Sequence, residues 1–213
     1  MGPVFKPVRL MLFNLKGKEN KMNNLNIYII GVGGQGIGLL SKVLGEACQR
    51  AGYSIKSVDT HGLAQRGGTV ISQIRIGEDI YTPLIPKGQA DIVIGMERLE
   101  TYRAMQMLKS KGGRALYYEA QYQPIDVRLE EYPYPKKEEL KQYINNIEGE
   151  LKSVKHENIP DARMQNIILL AEIAKMGWIE KVNTEIIKSV MNNILPESIR
   201  DMNIELFEEW VNS

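Results

Sequence analysis

The sequence predicts an α/β protein with a Rossmann-like, mostly parallel β-sheet, a β-hairpin at one edge of the sheet and helices at the C-terminal end. Three observations favour this class. Short apolar runs alternate with amphipathic segments of helical period, which is the order typical of a parallel sheet. A glycine-rich loop separates the first run from the first amphipathic segment. Residues 161–211 hold three successive amphipathic segments without a strand between them.

The first βα unit is the clearest feature of the chain. The apolar run at residues 27–30 suits a strand that is buried on both faces. It leads into G-x-G-x-x-G at Gly31, Gly33 and Gly36, with an additional Gly34, and then into a helical pattern that Gly52 ends. Glycines in this position let the chain turn tightly and bring its N–H groups close to an anion. A tight turn that binds nothing is the alternative, because fold does not fix function.

A second strand is predicted at residues 53–59, and Asp59 closes it. In a dinucleotide-binding fold an acidic residue at this place holds the ribose hydroxyls. An Asx turn or a helix cap is the more ordinary role for such a residue, and we favour it for Asp59.

The next loop, THGLAQRGGT at residues 60–69, presents three polar side chains among glycines, at a strand end where open α/β sheets bind ligands. Its candidate ligand contacts are His61, Gln65, Arg66, Gly67 and Gly68. Arg66 carries a permanent charge and a planar set of donors suited to carboxylate or phosphate. A plain connection with a surface arginine is the alternative.

The remaining segments extend the α/β pattern. Residues 69–76 and 80–82 form a predicted hairpin, and a charged helix is expected within residues 136–157. The other predicted elements are strands at 91–95 and 114–119 and helices at 99–108, 161–176, 184–195 and 197–211.

Length and composition limit the number of domains and the kinds of partner that this protein can have. With 213 residues and 43% hydrophobic content, we expect one domain over residues 26–213, with a charged insert at 136–160 and a flexible extension at 1–25. Met22, just before the first strand, is a hypothetical native start. A net charge of +1 gives no electrostatic case for nucleic acid or a membrane surface. No apolar run approaches a transmembrane span, so a cytoplasmic protein is expected.

Several kinds of chemistry are missing from the chain. Its single cysteine, Cys48, falls on the apolar face of the first helix, and its two histidines, His61 and His156, lie far apart in sequence. We therefore predict no metal site and no iron–sulfur cluster in this chain. A nucleophile elbow and a G-x-x-x-x-G-K-[ST] loop are also absent, and no catalytic residue is assigned.

Four stretches resemble the small, gamma-type subunits of 2-oxoacid:ferredoxin oxidoreductases, and in particular the indolepyruvate type. These are GVGGQG at 31–36, HGLAQRGGTVISQIRIG at 61–77, YTPLIPKGQADIVI at 81–94 and PESIRDMNIELFE at 196–208. The resemblance covers nearly all of residues 26–210.

The resemblance implies a subunit that is inactive alone and that takes part in converting an arylpyruvate, coenzyme A and oxidised ferredoxin into an arylacetyl-CoA, carbon dioxide and reduced ferredoxin. Thiamine diphosphate and the iron–sulfur clusters would belong to a larger partner subunit, and ferredoxin would meet the complex. Coenzyme A would be the co-substrate. Candidate contacts on this chain are Gly31, Gly33, Gly34, Gln35, Gly36, His61, Gln65, Arg66, Gly67 and Gly68.

Two alternatives accompany this interpretation. In the first, the chain is a free-standing module that binds NAD or another nucleotide through residues 31–36 and Asp59. In the second, Arg66 pairs with a carboxylate of the larger subunit rather than with a ligand. If the subunit interpretation holds, we expect the partner to cover part of the glycine loops and of the apolar stripe Ile199, Met202, Leu206 and Trp210.

Overall fold

A computed structural model describes residues 24–60, 68–121 and 134–213. The predicted His61, Gln65, Arg66 and Gly67 lie outside these residues, as do the first 23 residues, so the N-terminal extension and the start at Met22 stay predictions. The strands are β1 (Leu25–Val32), β2 (Ile55–Thr60), β3 (Thr69–Ile76), β4 (Ile92–Gly95), β5 (Arg114–Tyr118) and β6 (Glu150–Val154). The helices are α1 (Ile37–Arg50), α2 (Arg98–Ala104), α3 (Lys137–Asn146), α4 (Gln165–Met176), α5 (Thr184–Ile194) and α6 (Glu197–Asn212), with 3₁₀ turns at Met105–Met107 and Ala162–Met164.

The described strands form one sheet in the order β2-β3-β1-β4-β5-β6. β1, β4, β5 and β6 are mutually parallel, and β3 is antiparallel to both of its neighbours. β2 therefore runs in the same direction as β1, and β3 alone among the described strands is reversed. The predicted fold class, a mostly parallel sheet with a hairpin edge and C-terminal helices, is confirmed.

The hairpin consists of β2 and β3, so the predicted pairing of residues 69–76 with 80–82 is wrong. β3 pairs with β2 from Ile55↔Ile76 to Thr60↔Ile71 and uses its other edge for β1. Both edges of β3 are thus occupied, and the segment after it, which contains Pro83 and Pro86, forms a loop. The insertion of β3 between β1 and β2 also distinguishes this sheet from the usual dinucleotide-binding order.

Layers of helix cover both faces of the sheet. Ile27 and Ile29 point into a large core with α1 and the helices α4, α5 and α6, whereas Tyr28 and Ile30 point into a smaller core with α2 and α3. This two-sided burial explains why β1 is an unbroken apolar run rather than an alternating one. The C-terminal helices fill the larger core, and Phe207 on α6 is 1% exposed there.

The charged stretch predicted as one helix is a helix followed by a strand. α3 ends at Asn146, and β6 then pairs in parallel with β5. Gly149 allows the change, because an added Cβ there would lie 2.2 Å from the carbonyl oxygen of Gly113. Leu140 and Ile144 bury their side chains despite the surrounding charges, so this stretch belongs to the sheet and its cover. That residues 136–160 are an insert relative to other proteins stays a prediction.

Candidate functional site

The glycine loop, residues 33–36, connects β1 to α1 at the carboxyl edge of the parallel strands. Gly34 and Gly36 adopt φ values of 102° and 79°, which favour glycine. Gly34 is exposed, and an added Cβ there would meet no atom within 4 Å. Within the described part of the chain, the N–H groups of Gly34 and Gly36 have no hydrogen-bond partner. The loop therefore presents donors at the N-terminus of a 14-residue helix, where an anionic group is favoured.

Gln35 holds this loop in shape. Its side chain is 3% exposed, and its Oε1 accepts a hydrogen bond of 2.7 Å from the Val32 N–H. Its Nε2 donates to the carbonyl of Met96 at 3.1 Å and lies 3.5 Å from Oε1 of Gln165. Its own N–H donates to the carbonyl of Val32 at 3.2 Å. The structure gives Gln35 a role in ordering the loop, and its polar groups are used within the protein rather than offered to a ligand.

Gly31 serves close packing. An added Cβ at Gly31 would lie 2.6 Å from Cβ of Met96, the residue after β4. The first glycine of the motif thus brings β4 against the end of β1, and it is buried beneath the loop rather than exposed at the surface.

The second candidate loop adjoins the first. The N–H of Gly33 donates to the carbonyl of Gly68 at 2.9 Å, so these two predicted site residues are neighbours. Thr60 ends β2 and Thr69 begins β3, and Thr69 pairs with Val32 at the end of β1. Thr69, after residues 61–67, is therefore level with the end of β1, whereas Thr60, before them, is level with Ile30, two residues short of that end.

Asp59 does not join this edge. It pairs with Ser72 on β3, which in turn pairs with Ile29 on β1, so β3 separates Asp59 from the first strand. Its carboxylate accepts a hydrogen bond of 3.2 Å from Ser41 of α1. It lies two strand spacings, about 10 Å, to the side of β1 and about another 10 Å below the end of that strand. The geometry expected for a ribose contact is absent.

Asn166, at the start of α4, lies behind the glycine loop. Its side chain is 2% exposed, and its Nδ2 donates to the carbonyl of Gly36 at 3.1 Å. An added Cβ on Gly36 would lie 2.5 Å from that nitrogen, so α4 fixes the last glycine from behind. The Oδ1 of Asn166 has no partner among the described residues. Sequence reasoning missed this residue, because 130 positions separate it from Gly36.

Glu97 is a second residue that the sequence did not reveal. It follows β4, is fully buried, and caps α2 by accepting from the N–H groups of Leu99 and Glu100. The hydroxyl of Tyr134 donates to the same carboxylate at 2.7 Å. Burial raises the pKa of the Glu97 carboxyl, although these hydrogen bonds oppose the shift. Glu97 thus joins the end of β4 to the segment that leads into α3.

Glu119, after β5, forms an adjacent charged cluster. It accepts from Arg98 Nε at 2.9 Å and from the Tyr117 hydroxyl at 2.9 Å, and Lys137 lies 3.3 Å away. Burial alone would raise the pKa of Glu119, but the hydrogen bonds from Arg98 and Tyr117 and the nearby positive charges hold it below its usual value. The cluster is satisfied internally, so it stabilises the edge of the sheet rather than supplying a reacting group.

The described part of this site is therefore a set of backbone donors on a rigid support. Gly34 and Gly36 offer N–H groups, while Gln35, Asn166 and Glu97 fix their surroundings through internal hydrogen bonds. Such an arrangement suits an anionic or carbonyl oxygen, and the described residues of these two loops include no nucleophile or general base.

Comparison with known proteins identifies the family. A family model described as pyruvate ferredoxin/flavodoxin oxidoreductase matches residues 26–212. The chain belongs to this family. Curated relatives agree: indolepyruvate oxidoreductase subunit IorB of Thermococcus kodakarensis is 32% identical over an alignment of 195 residues that covers 88% of this chain and 94% of the relative. The subunit of the same name from Methanothermobacter thermautotrophicus is 31% identical over 87% of this chain and 95% of its own length.

Solved structures of the oxidoreductase family share the fold. The gamma subunit of a keto/oxoacid ferredoxin oxidoreductase from Geobacter sulfurreducens superimposes with a TM-score of 0.58 at 19% identity, over 88% of this chain and 96% of that one. Pyruvate oxidoreductase subunit PORC from Thermotoga maritima gives 0.61 at 18% identity, over 89% and 96%. The 2-oxoglutarate:ferredoxin oxidoreductase of Magnetococcus marinus gives 0.62 at 17% identity, and this chain corresponds to 30% of that longer chain.

Two further observations concern the class of protein. In the described ranges, no helix is long and apolar enough to span a bilayer. The same ranges hold no group of three or more histidine, cysteine, aspartate or glutamate side chains arranged to hold a metal ion.

Proposed function

We propose that this chain is the small, non-redox subunit of an indolepyruvate-type 2-oxoacid:ferredoxin oxidoreductase. The observation that carries the proposal is similarity over almost the full length of the IorB subunits, at about 30% identity. The reaction joins an arylpyruvate and coenzyme A to give an arylacetyl-CoA and carbon dioxide, with electrons passing to ferredoxin. We place the protein and this reaction in the cytoplasm.

A larger subunit carries the redox chemistry in this proposal. An iron–sulfur cluster needs several thiolates, whereas this chain has one cysteine and that cysteine is fully buried. The same fold stands as a separate subunit in two solved relatives and makes up 30% of a longer chain in a third. A module that is a separate subunit in two relatives and part of a longer chain in a third supports a partner of this kind. We infer that this chain binds a larger subunit that holds thiamine diphosphate and the clusters.

The glycine loop, at the carboxyl edge of the sheet, is the proposed contact with coenzyme A. The structure from Magnetococcus marinus is described with 2-oxoglutarate, coenzyme A and succinyl-CoA bound. In this chain the N–H groups of Gly34 and Gly36 at the start of α1 fit a phosphate oxygen of such a molecule. From the sequence of the adjoining loop, we expect Arg66 to add a charge-assisted hydrogen bond and His61 and Gln65 to add further hydrogen bonds. Gly33 and Gly68 hold the two loops together.

The alternative, a free-standing NAD-binding module, has less support. Its ribose contact, Asp59, bonds to Ser41 and lies across β3 from the strand that leads into the glycine loop. We expect no stoichiometric binding of NAD by the isolated chain.

Assembly tests the proposal. The larger thiamine-diphosphate and iron–sulfur subunit from the same organism, co-expressed with a tagged copy of this chain, should elute with it as one complex on size-exclusion chromatography. Separate elution at micromolar concentrations would contradict the subunit role.

The ligand contact is tested on the same complex. The substitution Arg66→Lys should leave the complex intact and lower turnover, or raise the apparent Michaelis constant for coenzyme A or arylpyruvate, about tenfold, because one charge-assisted bond contributes roughly 1.5 to 3 kcal/mol. Unchanged kinetics in an intact complex would remove Arg66 from the ligand site. Loss of assembly would place Arg66 at the subunit interface instead.

A further inference from the structure

The loop that joins β3 to β4 presents two apolar side chains to solvent. Tyr81 is 91% exposed and Leu84 is 54% exposed, and they are the two most exposed large hydrophobic residues in the described part of the chain. We call residues 81–84 the anchor loop. It lies at the amino ends of the parallel strands, because β3 runs opposite to β1 and ends beside Leu25. β1 spans about 20 Å from Asn26 to Val32, so the anchor loop and the glycine loop lie at opposite edges of the sheet.

Arg75 holds the backbone of the anchor loop in place. Its Nη1 donates to the carbonyl oxygens of Thr82 at 3.1 Å and of Leu84 at 3.3 Å. Its Nε donates to Oδ1 of Asn26 at 2.9 Å, which fixes the guanidinium against the first strand. One planar side chain thus ties the loop to the sheet.

A second set of contacts fixes the end of the loop. The N–H of Ile85 donates to Oε1 of Gln73 at 2.7 Å, and the Ile85 side chain is 5% exposed in the smaller core. Pro83 and Pro86 restrict the backbone on either side of Leu84. The loop is therefore ordered without help from a partner, so little conformational entropy is lost when its exposed side chains are covered.

Exposed aromatic and aliphatic side chains on a rigid support are suited to insertion into an apolar pocket of a partner protein. Two copies of this loop meeting across a twofold axis would bury only a few hundred Å², far less than the roughly 1,200 Å² of a stable interface. The apolar loop of a second copy also does not suit the recess of about 340 Å³ between α1 and β2, since polar and charged groups such as Lys42, Glu46 and Asp59 line that recess. The loop alone is too small for a stable interface with any partner, so it forms one part of a wider contact, and the larger subunit of the proposed function is the partner that supplies the rest.

We propose that the anchor loop docks into an apolar pocket of the larger subunit, with Tyr81 and Leu84 as the anchoring side chains. This inference rests on the proposed function. It places one contact with the partner at the amino edge of the sheet and leaves the carboxyl edge, with its open N–H groups, for the coenzyme. The hydroxyl of Tyr81 stays at the rim of the pocket, where it meets water or a polar group.

Binding of the purified larger subunit to this chain, measured by biolayer interferometry, tests the anchor. The double variant Tyr81→Ala with Leu84→Ala should keep the wild-type melting temperature and bind at least tenfold more weakly. The arylpyruvate-dependent activity of the complex that contains this variant should return to the wild-type value once the larger subunit is saturating. Tyr102→Ala, which truncates a tyrosine that is 38% exposed on α2, is the matched control and should bind within twofold of wild type.

A third variant tests the ordered backbone of the anchor loop separately from its two exposed side chains. Arg75→Met keeps Tyr81 and Leu84 but removes the three hydrogen bonds of the guanidinium. It should weaken binding several-fold and speed amide hydrogen exchange at Leu84 and Ile85, with the strands unchanged.

The outcomes separate the anchor from the proposed function. If the wild-type chain binds the larger subunit and the folded double variant binds it equally well, the proposed role of the anchor loop is overturned and the proposed function stays intact. Wild-type chain that does not bind would overturn both. Equal weakening by Tyr102→Ala, or a homodimer of this chain that the double variant abolishes, would also overturn the anchor.

Discussion

Replacing Gln35 tests whether the glycine loop is held from inside the protein. In Gln35→Met the side-chain volume is nearly kept, but the N–H of Val32 and the carbonyl of Met96 lose their partner. Each buried group left unpaired costs about 1 to 3 kcal/mol. We expect the free energy of unfolding to fall by about 2 to 6 kcal/mol, which corresponds to a drop in melting temperature of roughly 4 to 24 °C for a chain of this size.

Gln35→Glu adds a dependence on pH. The introduced carboxylate still accepts from Val32, but its second oxygen faces the Met96 carbonyl where Gln35 had a donor. Only the protonated acid restores that donor, so its pKa in the folded state lies above the unfolded value of about 4.3. A raised pKa contributes stability below the unfolded pKa, and this contribution is lost as the pH rises through the folded pKa. The variant should therefore be closer to wild type at pH 5 than at pH 7.5.

Urea unfolding of the isolated chain measures both effects, with Gln49→Glu on the exposed face of α1 as the matched control. We expect the control to stay within about 0.5 kcal/mol of wild type at both pH values. If Gln35→Met and Gln35→Glu also stayed within that range at pH 7.5, Gln35 would not be the support of the loop, and the site would have to be rebuilt on other contacts.

The last glycine of the loop, the buried cysteine and the metal content of the chain can each be tested. Gly36→Ala should destabilise the chain by about 2 kcal/mol, because its φ of 79° disfavours a side chain and its Cβ would lie 2.5 Å from Asn166; Gly38→Ala, where an added Cβ meets nothing within 4 Å, should be neutral or stabilising, and equal losses would contradict this. Burial raises the pKa of Cys48 to about 12, so only about one thiol in 10,000 is ionised at pH 8 and a thiol reagent should react after denaturation but not before. The purified chain should be colourless, and elemental analysis should find no stoichiometric iron or zinc; one iron atom per chain after desalting would refute that prediction.

Local sequence was enough to predict the first βα unit and the C-terminal helices. The glycine motif, the apolar run before it and the helical period after it lie within residues 26–52, so no distant contact decides them. The same holds for α4, which ends at Gly177 with the φ of 60° expected of a helix-ending glycine. The gamma-type loops fixed the family for the same reason, since they are contiguous in sequence.

Distant contacts decided what the sequence did not reveal. The hairpin partner of β3 depended on which strands occupy its two edges, and β6 was hidden in a charged stretch because it lies at the end of the sheet order and buries little besides Val154. Gln35 looked like a ligand contact because it sits inside the motif. Its partners Met96 and Gln165 lie 61 and 130 residues away, and only the folded chain brings them to it.

The most direct test of the central claim is a titration of activity. A fixed amount of the larger subunit is mixed with increasing amounts of this chain, and arylpyruvate- and coenzyme A-dependent reduction of ferredoxin is followed. The account predicts no reduction with this chain alone, little with the larger subunit alone, and a rise that saturates at a fixed ratio of the two. Robust arylpyruvate-dependent reduction by this chain alone, or full activity of the larger subunit without it, would contradict the account.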